Sequence, residues 1–441
     1  MPRVLIISDD RLGATMAGPA IRAYELARHL ATFQTTELAS LQASQDQLPG
    51  VTIHSGLDSS ALLNLAKNFD VLVAGSYILA QHAELTKLGK YLVLDLYDPM
   101  LFEELAHQEA NSLGKFLYFE HHRYLARQMK AADFMICASD RQRDYWLGRL
   151  CALGRLDPEL YAQDPTARRL IDLVPFGLDS NPPIPGPARL RGVLPGVKEE
   201  DVLFLWGGGL WEWFDPLTPI RAISRLRTEH PELKLIFMAG KSPNPTTPAM
   251  PMAEKARSLA SDLGVLDQTV HFLDEWVPYQ ERGSLLLEAD AAFSAHQDHL
   301  ETRFAFRTRI LDYLWASLPI LTTTGDAMAD LVSRSNLGQA IAPQDVEGWE
   351  KALLRMGKDL AWRRACKERV GEMTQEFTWT RAIAPLKAYC EAPYFTPKPR
   401  QESWSTPFPL LTKAGLALKD EGLEGLVKRG KRYLARRSRH E

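Results

Sequence analysis

The chain has 441 residues, which is enough for two or three domains of roughly 150 residues each. Its 45% apolar and 24% charged residues are ordinary values for a globular protein and exclude wholesale disorder. The net charge of −3 argues against a dedicated nucleic-acid-binding protein, so no nucleic-acid partner is expected. Four cysteines without paired spacing exclude a disulfide scaffold or a zinc ribbon and fit a reducing cytosol.

Short apolar runs alternate with longer amphipathic segments, which is the pattern of βα units around parallel sheets. The first run stops at Asp9 and Asp10 and is too short for a signal segment, and no run reaches the roughly 18 residues of a membrane span. In the first half we predict strands at Val4–Ser8, Thr36–Leu41, Val71–Ala74, Tyr91–Asp95, Phe134–Ala138 and Leu170–Val174. Helices are predicted between them at Gly18–Phe33, Asn111–Ala131 and Asp140–Leu150. In the second half we predict strands at Val202–Trp206, Leu233–Ala239, Val270–Phe272, Ala291–Ser294, Ile320–Thr323 and Gln339–Ile341.

Five prolines between residues 182 and 195 separate the two halves, and such a stretch can join neither a helix nor a central strand. We therefore predict two Rossmann-like α/β domains that face each other across a cleft, with a single large sheet as the alternative. The predicted division is an N-terminal domain at 1–181, a linker at 182–199, a C-terminal domain at 200–378, a helix returning to the N-terminal domain at 379–394 and a basic tail at 395–441.

The tail differs in charge from the rest of the chain. It contains eleven Lys/Arg against five Asp/Glu, whereas the first 394 residues carry a net charge of −9. Four apolar residues fall at helical spacing within it: Leu423, Leu426, Val427 and Leu434. This pattern predicts a basic amphipathic helix that binds an anionic membrane surface through residues 411–439. Four glycines weaken such a helix, so a solvated, partly disordered tail is the alternative.

Glycine-containing loops follow the first strand of each half. The loop Asp9–Pro19 opens a helix at Gly18, where backbone N–H groups and the positive dipole end face the cleft, although many such turns carry glycine for conformational reasons alone. The matching loop has three consecutive glycines, Gly207, Gly208 and Gly209, which favours a phosphate or sugar that approaches the main chain. The nearby Trp211 either stacks on a sugar or covers the core.

Charged groups follow the later strands of the second half. Lys241 comes at the end of a parallel strand, where open α/β sheets bind ligands, and it either stabilises a leaving phosphate or is a solvated surface lysine. A helix is predicted from about Arg307 to Ser317, and Arg307, Thr308 and the free N–H groups at its start form an anion-binding site. Asp312, about one turn further on, is placed to accept hydrogen bonds from the two hydroxyls of a ribose.

Together these motifs resemble GT-B glycosyltransferases, specifically the family-4 group of retaining, nucleotide-sugar-dependent enzymes. The resemblance covers roughly residues 1–390. Besides the triple glycine, it rests on the segments Gly18–Ala27, Val174–Asp179 and Phe306–Pro319. Within the last of these, Phe306–Trp315 looks like a variant found in enzymes of bacterial surface-polysaccharide assembly.

The resemblance implies that the N-terminal domain binds the acceptor and that the C-terminal domain binds a nucleotide-sugar donor. Phe272–Pro278 resembles the loop whose backbone reads the donor base, which assigns Trp276 and Val277 to donor binding. The family needs no metal, and no cofactor is implied, because protein groups neutralise the diphosphate. In this chain those groups would be Gly208, Gly209, Lys241, Arg307 and Thr308.

The chain departs from the family at one position. Family members typically have two glutamates separated by seven residues; here Asp312 takes the second position and Phe304 the first, so Glu301 is the candidate displaced partner. In the other domain, Asp95 and Asp98 follow a strand that should end at the cleft. We assign Asp98 as an acceptor-hydroxyl contact or base, or alternatively as the cap of the helix after Pro99. Three residues are assigned to the acceptor side of the cleft: Gly18, Asp95 and Trp211.

The implied reaction is a front-face displacement with retention, in which Lys241 and Arg307 hold the negative charge that develops on the leaving phosphate. The leading interpretation is a sugar transferase for a cell-envelope glycan or glycolipid, located either in the cytoplasm or peripherally on the inner face of the cytoplasmic membrane. Its expected partners are a nucleotide sugar, a glycan or lipid-linked acceptor and the membrane surface. The alternatives are a catalytically lapsed GT-B binding or scaffold protein and a nucleotide-sugar epimerase of the same fold.

Overall fold

The fold is described from a computed structural model of the protein. The description covers residues 1–14, 16–44, 47, 49–108, 110–238, 240, 250–399, 414–415, 417–419 and 421–429.

The N-terminal domain is built on one parallel seven-stranded sheet with the order β3-β2-β1-β4-β5-β6-β7. The strands are β1 Val4–Ser8, β2 Thr36–Ser40, β3 Thr52–His54, β4 Val71–Ala74, β5 Tyr91–Asp95, β6 Phe134–Cys137 and β7 Ile171–Leu173. Its helices are α1 Gly18–Leu30, α2 Ser59–Ala66, α3 Ile78–Gln81, α4 Met100–His107, α5 Ser112–Ala131, α6 Asp140–Ala152 and α7 Pro158–Gln163, with a 3-10 turn at Ala83–Lys87.

The C-terminal domain has its own parallel sheet of six strands with the order β10-β9-β8-β11-β12-β13. The strands are β8 Val202–Trp206, β9 Leu233–Phe237, β10 Val270–Phe272, β11 Ala291–Ser294, β12 Ile320–Thr323 and β13 Gly338–Ile341. Its helices are α8 Leu217–Leu226, α9 Pro251–Asp262, α10 Arg282–Leu287, α11 Leu300–Phe304, α12 Thr308–Trp315, α13 Ala327–Arg334, α14 Val346–Lys358 and α15 Leu360–Met373, with 3-10 turns at Tyr279–Glu281 and Thr374–Phe377. This strand order is that of a Rossmann sheet, and the N-terminal sheet adds a seventh strand to it.

Two sheets rather than one confirm the predicted fold class, and the single-sheet alternative is wrong. Each predicted strand is found within one or two residues of its expected bounds in the described residues, because fully buried parallel strands read as continuous apolar runs. Strand β3 was not predicted. It is a three-residue edge strand whose single apolar residue, Ile53, gives no periodic signal.

The chain returns to the N-terminal domain after the second sheet, through helices α16 Trp379–Ala382 and α17 Ala384–Glu391. The Tyr389 ring stacks on Phe134 of β6 at a centroid distance of 4.6 Å. Thr396 then donates its hydroxyl to the Asp133 carbonyl at 2.9 Å and accepts a hydrogen bond from Arg155 at 2.7 Å. Residues 379–399 therefore pack as part of the N-terminal domain.

Gly177 marks the place where the return segment approaches most closely. A Cβ atom at this position would lie 2.5 Å from the Trp379 Cα, a distance that no side chain tolerates. The adjacent backbones are also joined, since the Leu178 amide donates to the Phe377 carbonyl at 2.7 Å. One apolar core cluster accordingly runs from β1 and α1 through this segment into α12 of the C-terminal domain.

Part of the basic tail can also be described. Residues 421–429 are helical, and the Leu423 and Val427 side chains are 72% and 51% exposed. Within the described ranges, no helix is both long enough and apolar enough to cross a membrane.

Candidate functional site

A cavity of about 300 Å³ lies between the two domains. It opens at the carboxyl ends of β8 and β11, where the strand order of the second sheet reverses, and open α/β sheets bind ligands at this point. The C-terminal domain contributes Gly207, Gly208, Gly209, Trp211, Met238, Met250, Trp276, Val277, Tyr279, Arg282, Leu286, Thr308, Arg309, Leu311 and Asp312. The N-terminal domain contributes Met16, Ala17, Gly18, Ile21, Phe176 and Gly177.

The triple glycine lines this cavity, but its three amides are not equivalent. The Gly207 amide donates to the Tyr313 hydroxyl at 2.9 Å, and that hydroxyl donates to the Phe293 carbonyl at 2.8 Å, so the Gly207 amide is already occupied. Gly208 has a φ of 97° and open space where a Cβ would be. The amides of Gly208 and Gly209 donate to no other described residue, which leaves two N–H groups free to bind an anion.

Arg309 places a positive charge beside these amides. Its Nη2 donates to the Gly209 carbonyl at 3.1 Å, and its guanidinium lies 4.0 Å from the Phe214 ring centroid and 4.5 Å from that of Trp206. No carboxylate forms an ion pair with it in the described part of the chain, and its Nη1 is buried without a partner. Burial lowers the pKa of Arg309 to about 10, so the group is still a cation at neutral pH.

Arg307 is held differently, and this corrects its predicted role in the anion-binding site. Its Nη1 and Nη2 donate to the two carboxylate oxygens of Glu301 at 2.8 and 2.7 Å, and its Nε lies 3.5 Å from Asp326. All three side chains are almost fully buried. Arg307 and Glu301 are therefore buried and paired with each other, and neither lines the cavity.

Thr308 and Asp312 do line the cavity, on the first turns of α12. Asp312 accepts a hydrogen bond from Arg282 Nε at 2.9 Å, and about one third of its side chain stays exposed. A carboxylate offers about four lone-pair sites, so this one bond leaves it free to accept others.

Trp276 and Val277, which belong to the loop predicted to read the donor base, line the cavity. The Trp276 indole nitrogen donates to the Ala14 carbonyl of the N-terminal domain at 3.1 Å, which spans the cleft. Trp211 also lines the cavity and stacks on Trp213 with a centroid distance of 5.8 Å. Trp211 therefore packs against the core with Trp213 and also borders the cavity. Neither of its two predicted roles, stacking on a sugar or covering the core, excludes the other.

On the N-terminal side, Gly18 lines the cavity at the start of α1, as expected from its loop. Asp95 does not. Both of its carboxylate oxygens bind Arg22, at 2.5 and 3.0 Å, in a buried ion pair, and Arg22 also donates to the Val174 carbonyl at 2.7 Å. Asp95 therefore orients a buried arginine, and the two side chains line a separate, smaller pocket of the N-terminal domain together with Tyr97. The assignment of Asp95 to the acceptor contacts stays a prediction.

Asp98 is half-buried near the domain interface and is not among the residues that line the cavity. Helix α4 is capped by Pro99 without a side-chain hydrogen bond, so the helix-cap alternative for Asp98 is wrong. Burial is the main reason that the pKa of Asp98 is raised to about 7; the carboxylates of Asp95 and Glu301 also raise this pKa, while the hydrogen bond from the Tyr97 hydroxyl and the charge of Arg22 lower it. Such a pKa is suited to proton transfer near neutral pH.

Phe304, at the position of the missing family glutamate, packs across the domain interface. Its ring stacks on Phe102 of α4 at 5.1 Å and lies 5.2 Å from Tyr145 of α6. Its carbonyl accepts a hydrogen bond from the buried Gln142 amide at 3.0 Å, and the same amide donates to the Tyr97 carbonyl at 2.6 Å. An interdomain contact therefore occupies the place where the resemblance led us to expect an acidic side chain.

Lys241 lies outside the described residues, so its role stays a prediction. The residues that sequence reasoning missed are Arg309, Arg282 and Tyr279. Arg309 was visible as one of three arginines around the predicted helix. Which of the three faces a ligand depends on which one Glu301 engages, and the sequence gives no signal for that pairing.

No protein-family model matches the chain, and no curated protein matches it. Similar solved structures include HepE from Anabaena in complex with UDP-glucose, which is 13% identical with a TM-score of 0.66 over 89% of this chain and 100% of that one. WaaG, a glycosyltransferase involved in lipopolysaccharide biosynthesis, is 18% identical with a TM-score of 0.57 over 87% of this chain and 98% of that one. Sucrose-phosphate synthase from Thermosynechococcus elongatus is 14% identical with a TM-score of 0.62 over 89% and 99%. At these identities the similarity shows the fold, and that fold is GT-B.

Proposed function

We propose that the protein is a glycosyltransferase that moves a sugar from a nucleotide-diphosphate donor to a glycan or lipid-linked acceptor, with retention, in the synthesis of a cell-envelope polysaccharide or glycolipid. One observation carries the proposal. The interdomain cavity combines two backbone amides, Gly208 and Gly209, with the guanidinium of Arg309, and within the described residues the two amides have no acceptor and the guanidinium has no carboxylate partner. Preorganised N–H donors and a cation in a partly desolvated site are what a diphosphate requires.

The other residues that line the cavity suit the ribose and the base of a nucleotide-sugar donor. Asp312 offers carboxylate oxygens to ribose hydroxyls, and Trp276 and Val277 form an apolar wall for a base. A volume of about 300 Å³ lies at the lower end of small-molecule sites. The Anabaena protein of the same fold binds UDP and UDP-glucose, which supports a nucleotide sugar as the donor class.

In the proposed reaction, the bond between the anomeric carbon and the phosphate oxygen breaks while the acceptor oxygen forms the new glycosidic bond on the same face. The acceptor proton passes to the leaving phosphate, with Asp98 as a candidate base or acceptor contact. Arg309 takes the charge-stabilising role first assigned to Arg307, and Lys241, which lies outside the described residues, keeps its proposed role. Closer approach of the two domains, which the contact from Trp276 to Ala14 already joins across the cleft, would exclude water from the cavity during the reaction.

Nucleotide binding tests the donor class. Thermal-shift measurements with UDP, GDP, ADP and their sugar conjugates should identify one base, since a ligand at 100 times its dissociation constant stabilises the folded state by about 2.7 kcal/mol. The corresponding free sugars serve as controls and should produce no shift. If no nucleotide stabilises the protein at millimolar concentration, the proposed donor site is wrong.

A second reading, a catalytically lapsed binding or scaffold protein, is favoured by Phe304. An apolar ring that packs on Phe102 replaces a group that the resemblance places near the donor sugar. Incubation of the stabilising nucleotide sugar with candidate acceptors separates the readings, because binding without turnover supports the scaffold. The same incubation without an acceptor tests the epimerase alternative, since it alone predicts an epimerised nucleotide sugar in the NMR spectrum.

We also propose that residues 411–439 place the protein on the inner face of the cytoplasmic membrane. The described helical part carries exposed Leu423 and Val427 beside basic side chains. Deleting residues 400–441 should weaken binding to vesicles that contain anionic lipid, measured by co-sedimentation at low salt. Vesicles of neutral lipid are the control, and equal binding of the full and shortened chains to anionic vesicles would contradict the proposal.

A further inference from the structure

We infer that Tyr279 is a positioning residue that couples occupancy of the donor cavity to the approach of the two domains. It belongs to a relay of four side chains: Glu25, Tyr279, Arg282 and Asp312. The relay joins a carboxylate that lines the cavity to helix α1 of the other domain. The inference rests on the proposed function, because it takes Asp312 as the contact for the donor ribose.

At the cavity, Arg282 fixes the orientation of Asp312. Its Nε donates to Asp312 Oδ1 at 2.9 Å, and its Nη1 donates to the Tyr279 carbonyl at 2.7 Å. Its guanidinium lies 3.7 Å from the centroid of the Tyr279 ring and 4.7 Å from that of Trp315. Burial lowers the pKa of Arg282, but Asp312, Tyr279 and Glu25 together outweigh burial and leave the pKa raised, so the cation persists.

On the other side of the cleft, Tyr279 is anchored by Glu25. The Tyr279 hydroxyl donates to Glu25 Oε1 at 3.1 Å, while Glu25 Oε2 accepts from Arg28 at 2.7 and 2.9 Å. Burial raises the pKa of Glu25, yet His29 and Arg28 outweigh it and hold the pKa below its usual value. Burial also raises the pKa of Tyr279 well above its usual value. Tyr279 thus remains a donor to an ionised acceptor, the stronger kind of hydrogen bond.

The consequence of this arrangement is reciprocal. A ribose bound by Asp312 favours the observed position of Arg282. The Tyr279 ring packs on Arg282 in that position, and this holds the Tyr279 hydroxyl against Glu25. Thermodynamic linkage makes the effect mutual. If the Tyr279–Glu25 contact strengthens nucleotide binding by a given free energy, the bound nucleotide stabilises the closer arrangement of the two domains by the same free energy. Tyr279 itself forms part of the cavity wall, but its effect passes through Arg282 and Asp312.

The substitution Tyr279→Phe tests the coupling, since it removes the hydroxyl and keeps the ring against Arg282. We expect an affinity about 5- to 30-fold weaker for whichever of UDP, GDP and ADP the wild type binds, measured by titration calorimetry. Spin labels on the exposed Cys151 and on a cysteine introduced at Lys351 should report a longer or broader interdomain distance. The same change at the exposed Tyr161 is the matched control and should alter neither quantity.

A double-mutant cycle separates coupling from a merely structural role. Glu25→Gln and Tyr279→Phe should together weaken nucleotide binding no more than the stronger single variant, because both interrupt one relay. Additive losses, or a Tyr279→Phe protein with wild-type affinity and distances, would overturn the coupling and leave the proposed function standing. If the wild type binds none of the three nucleotides, the proposed function fails and this inference fails with it.

Discussion

Replacing Arg309 with glutamine should lower kcat with the nucleotide-sugar donor by about 10²- to 10³-fold, the usual cost of removing one group that stabilises transition-state charge. Arg309 has no carboxylate partner among the described residues, so its charge is available to a ligand at the Gly208 and Gly209 amides. The free energy of unfolding should fall by no more than about 2 kcal/mol, because among the described residues the side chain forms no ion pair, one hydrogen bond to the Gly209 carbonyl, and cation–π contacts with Phe214 and Trp206. Steady-state kinetics and urea unfolding check the two parts.

The matched control is Arg303→Gln, an arginine of the same segment whose side chain is exposed. It should keep wild-type turnover. A variant Arg309→Gln with wild-type turnover would remove Arg309 from the proposed charge stabilisation. A variant that has lost its folded structure, seen as the loss of the cooperative unfolding transition, would show that Arg309 acts in the core instead.

Replacing Arg307 with alanine should reduce the free energy of unfolding by about 3–5 kcal/mol, because it leaves the buried Glu301 and Asp326 carboxylates without their cation. This expectation differs from a catalytic role, in which turnover falls while stability is kept. Urea unfolding of the variant at neutral pH measures it. Any loss of turnover should follow the loss of folded protein.

An exposed ion pair provides the comparison. Arg225 lies 3.4 Å from Glu350, and its side chain is 57% exposed, so Arg225→Ala should cost no more than about 1 kcal/mol. If Arg307→Ala proves as stable as Arg225→Ala and yet inactive, the assignment of Arg307 to the leaving phosphate would be restored. The pair of variants thus distinguishes the buried network from the anion site.

The sequence predicted most of the fold because both sheets are parallel and covered on both faces. Strands such as β1, β4 and β8 are continuous apolar runs bounded by polar loops, and the prolines of the linker separate the two sheets. The prediction failed where burial is partial. Strand β3 lies at the sheet edge with one apolar residue, and edge strands of this length have no periodicity to detect.

The sequence predicted several of the residues that line the cavity but not which charged side chains pair with each other. Gly18, Gly208, Thr308 and Asp312 line the cavity because they follow parallel strands or begin helices at the carboxyl edge of a sheet. The roles of Arg307 and Asp95 could not be read in this way. Each is an ionic group whose availability depends on a partner, and the partner of Asp95 is 73 residues away, on α1.

The return of the chain to its first domain has a consequence for how the protein is made. Residues 379–399 supply the Tyr389 ring against Phe134 and the Thr396 contacts to Asp133 and Arg155. Part of the first domain's surface therefore stays exposed until residues 379–399 have been synthesised. At usual translation rates that delay is on the order of 10 to 40 seconds after the linker emerges. During this time the nascent chain would expose apolar surface to which chaperones can bind.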